Sequence, residues 1–217
     1  MLDGLSIRKF EKEIEDIKRY RRRFYDNRSQ VYDEIWLRDN MSKPEMDGFK
    51  HLVKIKKGEI VLDIATGTGI YLLEMAKDGA LCYGIDISPK MLSQLKLKIK
   101  QRGLEDRIKE IRVGEADALP YQDSFFDLVT CIGMLEYYPL EYAEIVLTEI
   151  RRVLKPNRRC FIDVVDPYNK ENQSRDYLYK YNLGSLEDVV RKIGFTILEK
   201  NTAGRMIQYL LLNAEEI

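Results

Sequence analysis

The order of residues predicts an α/β fold: a mostly parallel sheet with helices on both faces and an antiparallel hairpin at its C-terminal end. Three observations carry this. The apolar run Ile60-Val-Leu-Asp63-Ile-Ala65 passes through Thr66-Gly67-Thr68-Gly69 into the helical stretch Ile70–Lys77. Strand, tight glycine turn and helix start is the layout of a nucleotide-type site at the carboxyl edge of a parallel sheet. Short apolar runs then alternate with amphipathic segments as far as residue 193, the pattern of strand–helix–strand units. Finally, Gly194–Glu199 and Met206–Leu212 are joined through Asn201–Gly204, a connection too short for anything but an antiparallel pair.

Composition bounds the rest. The 217 residues suit one domain with an appendage, and 45% hydrophobic residues suffice for a core. Formal net charge is zero, so no global field draws the chain to nucleic acid or to an acidic membrane. Cys82, Cys131 and Cys160 each sit in an apolar run and form no close pair, as expected of buried thiols in a reducing cytoplasm. No apolar run approaches the ~18 residues of a membrane span. The start Met1-Leu-Asp-Gly lacks the basic and apolar regions of a signal peptide.

In chain order, residues 1–57 are expected to form a helical appendage and 58–217 the core, with an insertion at 166–182. Residues 5–38 read as helix, because Ile7, Phe10, Ile14, Ile17 and Phe24 recur at steps of three and four, with Arg21 in the missing place. The basic run Lys18–Arg23 reads first as a solvated helix face, with an anionic substrate or RNA as functional alternatives. Tyr25 and Tyr32 fall on one face of that helix. Asp39–Pro44 breaks it, and Glu45–Lys54 forms another. His51, the only histidine, precedes the first strand and reads as a surface residue; with no His/Cys cluster, no metal site is expected. Leu81–Ile85 is a strand ending at Asp86, an acid placed to accept both hydroxyls of a ribose. Ser88 caps the next helix with Pro89 in its first turn. Arg107–Val113 is the third strand, Ser124–Cys131 the fourth, Glu141–Leu154 a helix and Arg158–Val165 the fifth strand. Ser185, with Asp188 three residues on, reads as the cap of a helix to Ile193.

The glycine turn lacks the third glycine of a dinucleotide site, where Leu72 stands instead, so an NAD enzyme is a weaker alternative. The stretch Val61-Leu-Asp63-Ile-Ala65-Thr-Gly67-Thr-Gly69, with Gly114-Glu115-Ala-Asp117-Ala-Leu-Pro120, Ser124-Phe-Phe-Asp127-Leu-Val and Leu154-Lys-Pro156 downstream, resembles the class I S-adenosylmethionine (SAM) methyltransferases, in particular the ubiquinone/menaquinone C-methyltransferase-like branch. The resemblance covers roughly residues 58–165. It implies a Rossmann-like seven-stranded sheet with an N-terminal helical lid, and SAM as cofactor. Carried over residue by residue, it implies that Asp63, Ala65, Thr66, Gly67, Thr68 and Gly69 hold the methionine end and Asp86 the ribose. Ile87, Met91, Glu115, Ala116 and Asp117 would meet the adenine; Cys131, Ile132 and Gly133 would lie along the methionine chain, and Tyr25 and Tyr32 would close over it. The family often has Asp or Asn where Glu115 stands, and His where Tyr137 stands. A histidine base is therefore not available, and an ordinary tyrosine phenol, with a pKa of ~10, is too weak a base at neutral pH. Tyr137 is the candidate catalytic residue, and it and Tyr168 are candidates for the acceptor side. Asp166-Pro-Tyr168 superficially matches an amino-methylating motif of nucleic-acid enzymes, but follows the wrong strand and lacks the second proline. The implied activity is methyl transfer to a small-molecule acceptor in the cytoplasm. A tRNA or rRNA methyltransferase and a non-catalytic SAM-binding partner subunit are the alternatives.

Overall fold

The structure, a computed structural model, describes residues 4–40 and 42–214, with side chains from residue 6 onward. Met1–Asp3, on which the reading of the chain start rests, lie outside the described residues, as does Met41 within the expected helix break.

Seven strands form one sheet in the order β3-β2-β1-β4-β5-β7-β6. They are β1 (Ile60–Ile64), β2 (Leu81–Asp86), β3 (Ile108–Val113), β4 (Phe126–Cys131), β5 (Leu154–Val165), β6 (Phe195–Ala203) and β7 (Met206–Asn213). The first five are mutually parallel, while β7 runs antiparallel to both β5 and β6. The expected Rossmann-like sheet with its C-terminal hairpin is therefore present.

Strand periodicity divides the core into two layers. Leu62, Ile64, Val129, Cys131, Ile162 and Val164 pack on one face against α6 (Leu140–Val153) and α8 (Leu183–Lys192). Val61, Cys82, Leu128 and Phe161 pack on the other, against α3 (Ser42–Leu52), α4 (Ile70–Lys77) and α5 (Pro89–Arg102). Because both faces are covered, the strands read as continuous apolar runs rather than alternating ones. A fully buried aliphatic side chain stabilises by roughly 1.5–3 kcal/mol, so each layer has ample driving force.

Several boundaries differ from the sequence expectation: α3 already begins at Ser42, inside the expected break, and ends at Leu52, and β5 starts at Leu154 rather than Arg158. The N-terminal helix is not continuous to residue 38: α1 (Gly4–Arg28) ends at a turn, and α2 (Tyr32–Arg38) restarts beyond it. The Ser29 hydroxyl donates to the Asp26 carbonyl at the break, and Val31 N–H closes back on the Arg28 carbonyl. Tyr25 and Tyr32 consequently lie on separate helices, yet their rings still meet edge to face at 6.0 Å. In α8, Asn182 rather than Ser185 is the cap, its side-chain oxygen accepting from Ser185 N–H at 3.0 Å. By contrast, Ser88 caps α5 by accepting from Met91 N–H at 3.1 Å, with Pro89 next in line.

Strand order reverses between β1 and β4, and the crevice above their carboxyl ends is where ligands bind in open α/β sheets. The helices α1 and α2 lie over it.

Candidate functional site

The turn after β1 forms the floor of the crevice. Gly67 and Gly69 have φ of 55° and 80°, in the left-handed region that glycine adopts without strain. Gly69 also sits so close to α5 that a Cβ there would lie 2.3 Å from Leu95 Cδ1. Asp86, at the tip of β2, locks this turn to the next one. Its two carboxylate oxygens accept from Gly67 N–H at 2.8 Å and from Ser88 N–H at 2.7 Å. Burial pushes the Asp86 carboxyl up to about 6 against those two hydrogen bonds, and the nearby Asp26 adds to the rise. Asp63 is pushed up to about 6 by burial in the same way, although Thr130 Oγ1 donates to it at 2.6 Å across the β1–β4 pair.

Two adjoining cavities open from this floor. Gly67, Asp86, Ile87, Met91, Glu115 and Ala116 line the first, roofed by Lys18, Arg21, Tyr25 and Tyr32 of the N-terminal helices. Ala65, Gly67, Ile132, Gly133 and Tyr137 line both. The second, of about 230 Å³, extends past Asp63, Thr66 and Thr68 to Glu45, Glu136 and Asp163.

The roof is tied to the floor by buried charges. Lys18, 5% exposed, donates from Nζ to Glu115 at 2.6 Å and to Asp117 at 2.7 Å, both in the loop after β3. Burial alone would lower the Lys18 ammonium, but the hydrogen bonds to Asp117 and Glu115 outweigh it and raise it. Asp26 accepts from Ser88 Oγ at 2.6 Å, and Asp33 from Thr68 Oγ1 at 2.5 Å and Lys98 Nζ at 2.6 Å. The helices α1 and α2 therefore bind the loops after β1, β2 and β3 separately. The expected solvated face at Lys18–Arg23 is half wrong: Lys18 and Arg21 are buried, whereas Arg19, Arg22 and Arg23 are exposed. Arg21 continues the buried stripe below Ile14, and its guanidinium stacks 3.7 Å from the Tyr137 ring centre.

Tyr137 stands where the cavities meet, its ring 6.4 Å from that of Tyr25. Burial and the charge of Glu136 push its phenol up to about 12, which keeps its proton on at neutral pH and leaves it unsuited to act as a base. Four residues singled out in the sequence line neither cavity. Gly69 is turned toward Leu95. Cys131 is fully buried in the core, where desolvation drives its thiol well up. Asp117 faces Lys18. Tyr168 is 78% exposed. In the 166–182 insertion, other tyrosines anchor the loop: Tyr181 donates to the Leu135 and Tyr138 carbonyls at 2.6 and 2.8 Å, and Tyr179 meets Glu13 at 3.1 Å. His51 is exposed beside Glu199, remote from the crevice. Among the described residues, no group of His, Cys, Asp and Glu has a metal-holding arrangement, and no helix is long and apolar enough to cross a membrane.

Sequence reasoning missed Glu45, Glu136 and Asp163. Asp163 carried a signal, being a lone acid inside the apolar run Cys160-Phe-Ile-Asp-Val-Val165. Glu136 follows an apolar stretch without a pattern that marks it as buried, and Glu45 joins the site only through tertiary packing of α3.

Comparison with known proteins agrees with this geometry. A methyltransferase domain model matches residues 62–162. An uncharacterised methyltransferase of Synechocystis is 30% identical over 178 residues, 75% of this chain and 79% of that protein. A demethylmenaquinone methyltransferase of Lactobacillus johnsonii is 39% identical over 117 residues, 52% of this chain and 46% of that protein. The chain thus spans about half the length of several curated relatives it matches. Among solved structures, a SAM-dependent methyltransferase from Aquifex aeolicus superposes with a TM-score of 0.64 at 21% identity, over 79% of this chain and 89% of that one. That likeness speaks to the fold.

Proposed function

This chain belongs to the class I SAM-dependent methyltransferases, and from that membership we propose that it transfers a methyl group from SAM to a small-molecule acceptor held in the second cavity. One observation carries the reading: Gly67, Asp86, Ile87, Met91 and Glu115, drawn from the exits of β1, β2 and β3 and the start of α5, line a single roofed cavity. The residues fit the cofactor. Asp86 has spare lone pairs on both oxygens beyond its two backbone partners, as a ribose diol requires. Ile87 and Met91 offer apolar faces for a purine, and Glu115 keeps one oxygen clear of Lys18 for an exocyclic amine. Arg21 has a buried Nε without a partner and lines the same cavity, a natural match for a carboxylate.

When bound, SAM supplies a methyl on positively charged sulfur, so reaction needs an in-line nucleophile and a dry site more than strong acid–base assistance. The protein's part is to provide both. Tyr25, Tyr32 and Tyr137 exclude water where the cavities meet, and Tyr137 can donate a hydrogen bond that orients the acceptor. Of the expected appendage 1–57, α1 and α2 act as the lid, whereas α3 packs on the sheet through Phe49 and Leu52 and belongs with the 58–217 core that holds the donor. The matched region 62–162 excludes α1–α3 and everything from Asp163 onward. Acceptor identity therefore does not carry over from quinone-methylating relatives. RNA is a poorer acceptor, because the basic run that suggested it commits Lys18 and Arg21 to internal contacts.

The test is incubation of purified protein with methyl-labelled SAM and fractionated cell extract. Label in the small-molecule fraction is the expected result. Label in RNA or protein would replace the acceptor assignment, and SAM binding without transfer to any fraction would favour a non-catalytic partner subunit.

A further inference from the structure

We propose that the acceptor is a small organic amine, bound as its ammonium ion against Glu136 and Asp163 and methylated on nitrogen. The inference rests on the methyl-transfer reading and adds the substrate class. Glu136 is 4% exposed and Asp163 2% exposed, and both line the second cavity. Glu136 Oε2 is buried with no hydrogen-bond partner, while Asp163 is met only on Oδ1, by Gly133 N–H at 2.8 Å. No ion pair joins either acid to a cation among the described residues: the Arg21 charge reaches Glu136 without an ion pair, Arg175 and Arg205 share the cavity lining, and the ion pairs of Arg205 are with Asp39, Glu45 and Glu171. Buried carboxylates are normally paired, and leaving one unpaired costs several kcal/mol. Two beside one cavity, with Glu45 on its wall, therefore describe the negative half of a site whose positive half arrives with the ligand.

The walls fit the same ligand. Tyr25, Tyr32, Trp36, Tyr71, Tyr137 and Tyr177 line the same cavity as the acids, and aromatic faces attract organic cations. No metal-holding arrangement exists there among the described residues. The cavity, of about 230 Å³, also takes in Asp63, Thr66 and Thr68, so the amine would share it with the donor's methionine end and must be small. Without a cation the pair is frustrated. Burial pushes Glu136 up to about 7 and drives Asp163 well above the ordinary carboxylate range, with the charge of Glu136 adding to the latter. A neutral quinone or phenol would leave that frustration in place, whereas an ammonium relieves it.

The chemistry balances. Glu136, in its carboxylate form, takes one proton from the ammonium and frees the nitrogen lone pair. That pair forms the C–N bond as the C–S bond of the sulfonium donor breaks, and the C–S electrons stay on sulfur as a neutral thioether. The product is the methylated ammonium, and the proton on Glu136 leaves to solvent.

The experiment is calorimetric titration of the full chain, first with S-adenosylhomocysteine and then, at saturation with it, with matched pairs: phenethylamine against phenethyl alcohol, and putrescine against butanediol. In at least one pair the amine should bind roughly tenfold or more tighter than its neutral counterpart. Glu136→Gln and Asp163→Asn should each reduce that preference to about threefold or less while S-adenosylhomocysteine affinity holds, which also shows that the variants fold. Failure of S-adenosylhomocysteine to bind would remove the underlying methyl-transfer reading. Its binding with no amine preference in either pair would overturn this inference alone. Variants that weaken S-adenosylhomocysteine but keep the amine preference would also overturn it, by assigning the acids to the donor.

Discussion

Replacing Lys18 by methionine isolates the contact that fastens the N-terminal helix to the loop after β3. The ammonium donates three charge-assisted hydrogen bonds, one at 3.1 Å to Glu15 in its own helix and two across to the loop, at 2.6 Å to Glu115 and 2.7 Å to Asp117. Such bonds contribute ~1.5–3 kcal/mol each when shielded from water. The Asp117 side chain is 21% exposed and that of Glu115 is 45% exposed, so the bond to Glu115 is discounted by solvent screening. The sum is about 3 kcal/mol, or roughly 6–12 °C in Tm for a chain of this size. Double-mutant cycles in urea apportion it. The Lys18–Asp117 coupling, from Lys18→Met with Asp117→Asn, should be about 1.5–2 kcal/mol, and the Lys18–Glu115 coupling about 0.5–1 kcal/mol. Because Lys18 is sheltered, the first coupling should survive high salt while the second shrinks. Couplings below about 0.3 kcal/mol for both pairs would refute the reasoning, and would mean that α1 is held by its apolar stripe alone.

Further outcomes follow from the same geometry. Burial raises Asp63 and Asp86 to about 6, and Glu45 and Glu136 to about 7, so between about pH 4 and 7 the folded chain holds more protons than the unfolded one. Stability of the unliganded protein should therefore fall as pH rises through that window, and thermal melts at about pH 8 should lie below those at about pH 5.5; a rise over that interval contradicts it. Gly69→Ala meets both a left-handed φ of 80° and a 2.3 Å approach to Leu95 Cδ1, so unfolding in urea should show a loss of about 2 kcal/mol or more. Asp33→Ala removes the hydrogen bonds to Thr68 and Lys98 that hold α2 down; S-adenosylhomocysteine affinity should drop roughly tenfold, and cleavage near residues 29–31 by a nonspecific protease should accelerate. Unchanged affinity and cleavage would detach α2 from any lid role.

The sheet and the floor of the site were legible because local chemistry alone dictates them. Gly67 is needed where φ is positive, Asp86 ends a strand beside its own turn, and Ser88-Pro89 can only begin a helix. The C-terminal hairpin was legible for a related reason, since its connection is too short to cross the sheet. What stayed hidden depends on contacts distant in sequence. Lys18 lies 97 residues from Glu115, and nothing in a run of basic residues tells which of them turns inward. The turn at Ser29–Val31 interrupts a stretch whose periodicity continues across it. Tyr168, chosen for its place after β5, points to solvent, whereas the acids proposed for the acceptor side come from β5 itself, from the turn after β4 and from α3. Acceptor recognition is assembled from elements that meet only in the folded chain, so it is the layer that motif reading reaches last.

The most direct test of the central claim is titration of the purified protein with S-adenosylhomocysteine, alongside Asp86→Asn. The account predicts saturable binding of one equivalent to the unaltered chain and at least about a tenfold weaker constant for the variant, with NADH giving no saturable heat. Absence of saturation by a well-folded protein, or an Asp86→Asn variant that binds as tightly as the original, would contradict it.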